Sequence, residues 1–325
     1  MAGASGGALA AEVTLGGGFG FLSAGYDSPD ALRKEIHLAR ELLHSTAGDT
    51  VPVGVGFLCW QLDAFPSQAI DLLSAALTSG VQAIWLSFGQ DVGKWVAYVR
   101  DHDPRAGTKD AVKIFVQIST VTEARAALNE WRADVIVAQG NEAGGHGLGS
   151  GLPLLTLLPL VASLWPSTGG PPLLAAGGLA TGAHVAALLA LGASGAVLGT
   201  RFLLSPESLY SAVQRRALLA ADSTQSVRTM AFDYARNTLG WPAGIDGRGL
   251  RNATVDDYER GEEISVLREK FNEGVRAEDS TRLLVWAGSG VGLMSQIKPA
   301  KETVQELHEE CLSHIKRTAR LLSVT

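Results

Sequence analysis

The chain has 325 residues, enough for two average domains or for one α/β barrel of about 250 residues with an appendage. Hydrophobic residues make up 46% and charged residues 18%, which excludes a disordered chain. The balance of 27 Lys+Arg against 33 Asp+Glu, a net charge of -6, disfavours nucleic-acid binding.

Taken in order, the chain opens on a helical segment, Ser5 to Val13. It then repeats one unit: a short run rich in Val, Ile, Leu or Phe, a glycine-rich or polar turn, and an amphipathic stretch of helical period. The runs predicted as strands are Phe19 to Leu22, Val53 to Phe57, Ala83 to Ser87, Lys113 to Ile118, Val135 to Gln139, Leu173 to Ala176 and Ala196 to Gly199. Between the first two, Ser28 is an N-cap with Pro29 at the first helical position. Ala31, Leu32, Ile36, Ala39, Leu42 and Leu43 follow on one face, with Gly48 beyond the end. Thr181 opens a further Ala-Leu helix running to Leu191. Pro206 to Ala221 reads as a helix, and 222–282 loses the strand alternation and carries a polar loop from Trp241 to Arg248. A long amphipathic helix runs from Ala300 to about Leu322.

Strands alternating with helices predict a parallel sheet. The expected fold is a TIM (β/α)8-type barrel that lacks its first strand, because a helix opens the chain and seven strands follow where eight close a barrel. The domains are expected at 1–221 for the barrel, 222–284 for a helical or irregular insertion or lid, and 285–325 for a segment returning to the barrel. A Rossmann sheet is the weaker reading: Gly16-Gly17-Gly18-Phe19-Gly20 neither keeps the G-x-G-x-x-G spacing nor opens a helix. The apolar stretches Leu152 to Trp165 and Ala183 to Gly199 are broken by Pro153, Pro159, Gly192 and Gly195, short of the ~18 unbroken residues of a membrane span. Two cysteines, Cys59 and Cys311, make no disulfide framework, and no secretory signal is visible, so a soluble, cytoplasmic protein is expected.

Functional loops of a parallel barrel follow the C-terminal strand ends. Three stand out. After Gln139 comes Gly140-Asn141-Glu142-Ala143-Gly144-Gly145-His146, where glycines admit a ligand close to the backbone and a histidine can act as base; an ordinary glycine-rich turn with a surface histidine fits the residues equally well. The other two, Ala175-Ala176-Gly177-Gly178 and Gly199-Thr200-Arg201, lead from strands into helices. Their backbone N–H groups suit a phosphate, against the alternative that glycine merely permits a tight turn. No Cys/His cluster has metal-ligand spacing. The acids and bases between Asp256 and Glu263 read as a solvated face, Cys59 and Trp60 as packing more than substrate contact, and His184 as structural.

Together, Gln139 to His146, Ala175 to Gly178 and Gly195-Ala196-Val197-Leu198-Gly199-Thr200-Arg201-Phe202 resemble the FMN-dependent nitronate monooxygenases, formerly 2-nitropropane dioxygenases. The resemblance runs from Met1 to about Ser205 and resumes from Ala287 to Leu307. It implies a barrel that holds FMN and oxidises alkyl nitronates, and neutral nitroalkanes, with oxygen to carbonyl compounds and nitrite. It implies His146 as the catalytic histidine. Gly177, Gly178, Gly199 and Thr200 would hold the FMN phosphate, and Gln117, Gln139 and Gly145 would lie near the flavin. Family members begin with a strand ending in a Pro-Met-Ala-Gly type turn at the flavin. Met1-Ala2-Gly3 matches the end of that turn, which brings Ala2 and Gly3 into the cofactor site. The partners implied are a small nitronate or nitroalkane and oxygen, with a homodimer as the expected assembly. The rival readings are a flavin-dependent enoyl-ACP reductase, which shares a Glu-Ala-Gly-Gly-His loop, and a degenerate barrel without catalysis.

Overall fold

The protein is described here by a computed structural model covering residues 1, 3–46, 48–166 and 168–320. The order is α1 (Gly7–Leu15), β1 (Gly20–Ser23), α2 (Pro29–Leu42), β2 (Val51–Leu58), α3 (Cys59–Ala64), α4 (Pro66–Thr78), β3 (Val81–Ser87), α5 (Val92–His102), β4 (Lys113–Ile118), α6 (Val121–Asn129), β5 (Val135–Gln139) and β6 (Gly145–Leu148). It continues with α7 (Leu154–Ala162), β7 (Leu173–Ala176), α8 (Gly182–Ala190), β8 (Gly195–Val197), α9 (Thr200–Leu203), α10 (Ala212–Ala220), β9 (Ser226–Thr229), α11 (Ala231–Arg236), β10 (Ile245–Leu250), α12 (Ala253–Glu259), α13 (Ile264–Arg276) and α14 (Ala300–Ala319).

Seven parallel strands curl into a half-barrel in the order β1-β2-β3-β4-β5-β7-β8. All seven predicted strands are present, within two residues at each end, and the sheet is that of a TIM-type barrel. Among the described residues no strand lies between β8 and β1. The exposed edge of β1 is capped instead by Ser5, whose carbonyl accepts from the Ser23 N–H at 3.1 Å, while the Ala4 carbonyl accepts from Leu209 N–H on the far side of the gap. The Ser23 N–H of that edge is thereby satisfied.

Alternation along each strand divides the side chains into two sets. Val53, Val55, Phe57, Ile84, Leu86, Ile114, Val116, Ile118 and Ile136 are buried against Leu32, Ile36, Leu73, Val99, Ala127, Leu157 and Val161 of the surrounding helices. Each large one contributes roughly 2 kcal/mol by burial. Paired residues of the opposite phase, Phe21 with Gly54 and Trp85 with Phe115, face the lumen. A Cβ on Gly54 would stand 2.2 Å from the Phe21 ring, so that position requires glycine. Phe21 meets Trp85 and Phe115 edge-on at 5.1 Å, filling the floor.

The helix signals hold: Ser28 accepts from Ala31 N–H at 3.2 Å and Thr181 from His184 N–H. α14 lies across α1 and α8, so close that a Cβ on Gly16 would strike Val304 and one on Gly182 would strike the Leu307 carbonyl. The helix read from Pro206 begins only at Ala212, capped by Ser211.

The structure departs from expectation in the 222–282 region. β10 pairs antiparallel with β6 on one side and with β9 on the other, a three-stranded sheet at the mouth of the barrel. The end of the Trp241 to Arg248 loop is therefore strand. Its strands are short and polar, and the pairing, not alternation, defines them. α11, α12 and α13 pack beneath this sheet around Phe232, Val255, Leu267 and Phe271, a small core of their own. The charged run at 256–263 is also not uniformly solvated: Asp257 is buried and bridged by Arg260, Lys270 and Arg282. Among the described residues no helix is long and apolar enough to cross a membrane.

Candidate functional site

The C-terminal strand ends carry the residues singled out from the sequence. Gln117 and Gln139 end β4 and β5 in the same phase as the lumen residues, and Gln117 Nε2 donates to Gln139 Oε1 at 3.0 Å. Beyond Gln139 the chain turns through Gly140 to Gly144 and enters β6 at Gly145, whose φ of +74° belongs to the left-handed region. β6 carries His146 and pairs it directly with Gly247 of β10.

That pairing decides the surroundings of His146. β9 leads into α11 and hence Asp233, and the loop back to β10 carries Trp241. The imidazole Nε2 stands 3.0 Å from both carboxyl oxygens of Asp233, whose side chain is wholly buried. Asp233 Oδ1 also accepts from Thr238 Oγ1 at 2.9 Å and from Trp241 Nε1 at 3.2 Å. The Trp241 ring stacks on the imidazole with centroids 3.6 Å apart and planes 11° apart, and Trp286 meets it edge-on at 5.0 Å. Trp60 and Phe88 extend the aromatic wall against Trp241.

Asp233 was not singled out from sequence. A carboxylate isolated in the run Ala231-Phe232-Asp233-Tyr234-Ala235 was the available signal, since an acid inside an apolar segment must find partners. Two arginines were missed as well. Arg228 donates to the carbonyls of Asn141, Gly147 and Asp246, and Arg248 to those of Asn141 and Ser226, so that together they tie the three-stranded sheet to the His146 loop. Burial, and the nearby Arg228 charge, lower the proton affinity of Arg248.

The glycine loops converge nearby. Gly177 and Gly178 follow β7 with φ of +123° and +70°. A Cβ on Gly177 would stand 3.0 Å from the Gly140 carbonyl oxygen, and one on Gly178 2.8 Å from Glu142 Cβ. Gly199 follows β8 beside the Met1 sulfur. Thr200 is buried, and its Oγ1 accepts from Gly288 N–H at 2.9 Å. Gly3 lies in the N-terminal turn with φ of +70°, and Ala2 lies outside the described residues. The structure thus gathers Gln117, Gln139, Gly145 and His146 at the lumen mouth, with Gly177, Gly178, Gly199 and Thr200 at the adjoining strand ends.

Of the other residues considered, His184 Nδ1 accepts from Ala180 N–H at 3.1 Å, a structural contact. Cys59 is fully buried and burial pushes its thiol well above the ordinary range, which leaves it without nucleophilic character. His37, His44 and His308 are exposed and His314 is half-buried. Among the described residues no cluster could hold a metal ion.

The chain is similar to known proteins in sequence and in structure. A nitronate monooxygenase of Neurospora crassa is 32% identical over 96% of the chain and 87% of its own length. The nitroalkane oxidase of Streptomyces ansochromogenes superposes with a TM-score of 0.77 at 28% identity, covering 98% of this chain and 94% of the other. FabK of Thermotoga maritima superposes with a TM-score of 0.76 at 27% identity, covering 99% and 93%. The family model described as nitronate monooxygenase matches residues 1–310, and the chain is an oxidoreductase belonging to the nitronate monooxygenase family.

Proposed function

We propose that the protein binds FMN and oxidises alkyl nitronates with oxygen to carbonyl compounds and nitrite, taking neutral nitroalkanes as well by first removing their α-proton. The observation that carries this reading is the placement of His146 on β6, at the lumen mouth, beside a row of glycines that exposes backbone.

The residues present fit FMN. Gly177 and Gly178 hold left-handed backbone that side chains rarely adopt, and neither they nor Gly199 donates a backbone hydrogen bond among the described residues, so three N–H groups are free for a phosphate. Thr200 accepts through its oxygen, which leaves the hydroxyl hydrogen to donate. Gln117, Gln139, Gly145, Met1 and Gly3 would border the ring. Redox chemistry, the removal of an electron from the nitronate and its delivery to oxygen, is supplied by FMN when bound.

The chain's own residues do the rest. For a neutral nitroalkane His146 removes the α-proton, and the imidazolium so formed hydrogen-bonds the nitro group of the nitronate. Trp241 and Trp286 pack against the imidazole and exclude water from it.

The test is the visible absorption of FMN-incubated protein, recorded anaerobically before and after addition of an alkyl nitronate. A flavin band that changes on addition supports the reading. A bound flavin that stays oxidised with nitronates but drives NADH oxidation with an enoyl thioester would replace it with a reductase, and failure to take up FMN would make the barrel non-catalytic. In the same assay His146→Asn should keep FMN and lose about 100-fold or more in turnover of neutral nitroalkanes.

A further inference from the structure

Resting on the reading of His146 as the base, we propose that Asp233 is a positioning residue that fixes the hydrogen of the imidazole on Nε2, so that Nδ1 is the nitrogen that takes the α-proton.

The geometry is specific. Nε2 stands 3.0 Å from both Asp233 oxygens, while Nδ1 makes no hydrogen bond among the described residues. An indole N–H only donates, so Oδ1, which faces Trp241 Nε1 and Thr238 Oγ1, is an acceptor. With two donors converging on it, Oδ1 accepts, and Nε2, which stands as close to Oδ1 as to Oδ2, is then the protonated nitrogen. Trp241 on one face and Trp286 at the edge hold the ring plane. A half-turn about Cβ–Cγ would bring Cε1 to the position of Nε2 and leave a buried carboxylate short of one donor, which is unfavourable.

The step balances without a further reactant. The α C–H bond breaks and its electron pair passes into the nitro group, giving the nitronate. The proton goes to Nδ1, and the imidazolium formed faces the Asp233 carboxylate. Nothing is oxidised or reduced. One hairpin supplies Asp233, Thr238 and Trp241, which lie between β9 and β10, and β10 pairs with His146.

The tautomer is read directly by two-bond nitrogen–proton NMR correlation on 15N-histidine-labelled protein, with the His146 signals assigned by their loss in His146→Asn. Nε2–H in the wild type is the expected result, and Nδ1–H overturns the proposal whatever the substrate proves to be. In Asp233→Asn the amide donates to Nε2, so the hydrogen should move to Nδ1. Turnover of nitroethane should then fall about 100-fold or more while that of ethyl nitronate changes little, and Asp233→Glu should recover much of the loss. Equal losses on both substrates, or none, would make Asp233 merely structural. Should Asp233→Asn not fold, the wild-type tautomer still decides. A wild type that turns over neither substrate would refute the proposed function, and the NMR result would stand apart from it.

Discussion

The half-barrel and the three-stranded sheet at its mouth are held together by different physics. In the barrel wall, Ile114, Ile136 and their neighbours are fully buried between strand and helix, and stability comes from apolar area spread over the whole sheet. At the mouth, β6, β9 and β10 carry little apolar surface outward. They are fastened by Arg228 and Arg248 to backbone carbonyls and rest on the separate core around Phe232 and Phe271. The wall is a scaffold set mainly by apolar burial at the right period. The mouth depends on a few polar contacts, each placing a residue near His146, so damage there should be local and functional where damage to the wall is global.

Substitutions at three positions sharpen this contrast. The largest effect is expected from Ile114→Ala in β4, which opens a cavity in the continuous core and should lower the free energy of unfolding by about 4 kcal/mol in denaturant titration, with little change in turnover of molecules still folded. Next is Asp257, whose carboxyl is held below the ordinary carboxylate range chiefly by Arg282, against the opposing effect of burial. A depressed folded value means that this stabilisation is fully present above the unfolded pKa near 4 and is lost as the pH falls through the lower folded value. Asp257→Asn should therefore cost about 3 kcal/mol at neutral pH, and the gap between the variant and the wild type should close in thermal scans as the pH falls below about 4. The smallest effect on stability is expected from Arg228→Met, about 2 kcal/mol confined to the mouth. Yet its activity should fall tenfold or more, because a displacement of His146 on the order of 1 Å is costly to proton abstraction. Equal losses of melting temperature and of activity at Arg228 would erase the distinction between the two regions.

The same contrast explains how much was legible in the sequence. The wall strands were found because Lys113 to Ile118 or Val135 to Gln139 alternate or run apolar between turn signals, a local property. The glycine loops and His146 were placed by their position after strands, together with a family resemblance. Asp233 was not found, because its meeting with His146, 87 residues away in the chain, depends on β10 pairing with β6. Strand β10, Ile-Asp-Gly-Arg-Gly-Leu, has neither alternation nor a hydrophobic face, and its glycines exist for its neighbours: a Cβ on Gly247 would stand 2.4 Å from the Trp286 ring. Such a segment is a strand only in the context that it helps to build.

The placement of α14 across α1 and α8 has a consequence for the order of folding. The contact of Gly16 with Val304 joins positions at opposite ends of the chain, so the outer ring of helices is the last part of the barrel that synthesis can complete. Until α14 emerges from the ribosome, Leu9, Val13, Leu198 and Phe202, which it covers together with Val304 and Leu307, face water on a nascent chain whose other strands are already made. This seam is where a chaperone would be needed, and where a chain stalled before residue 300 would aggregate.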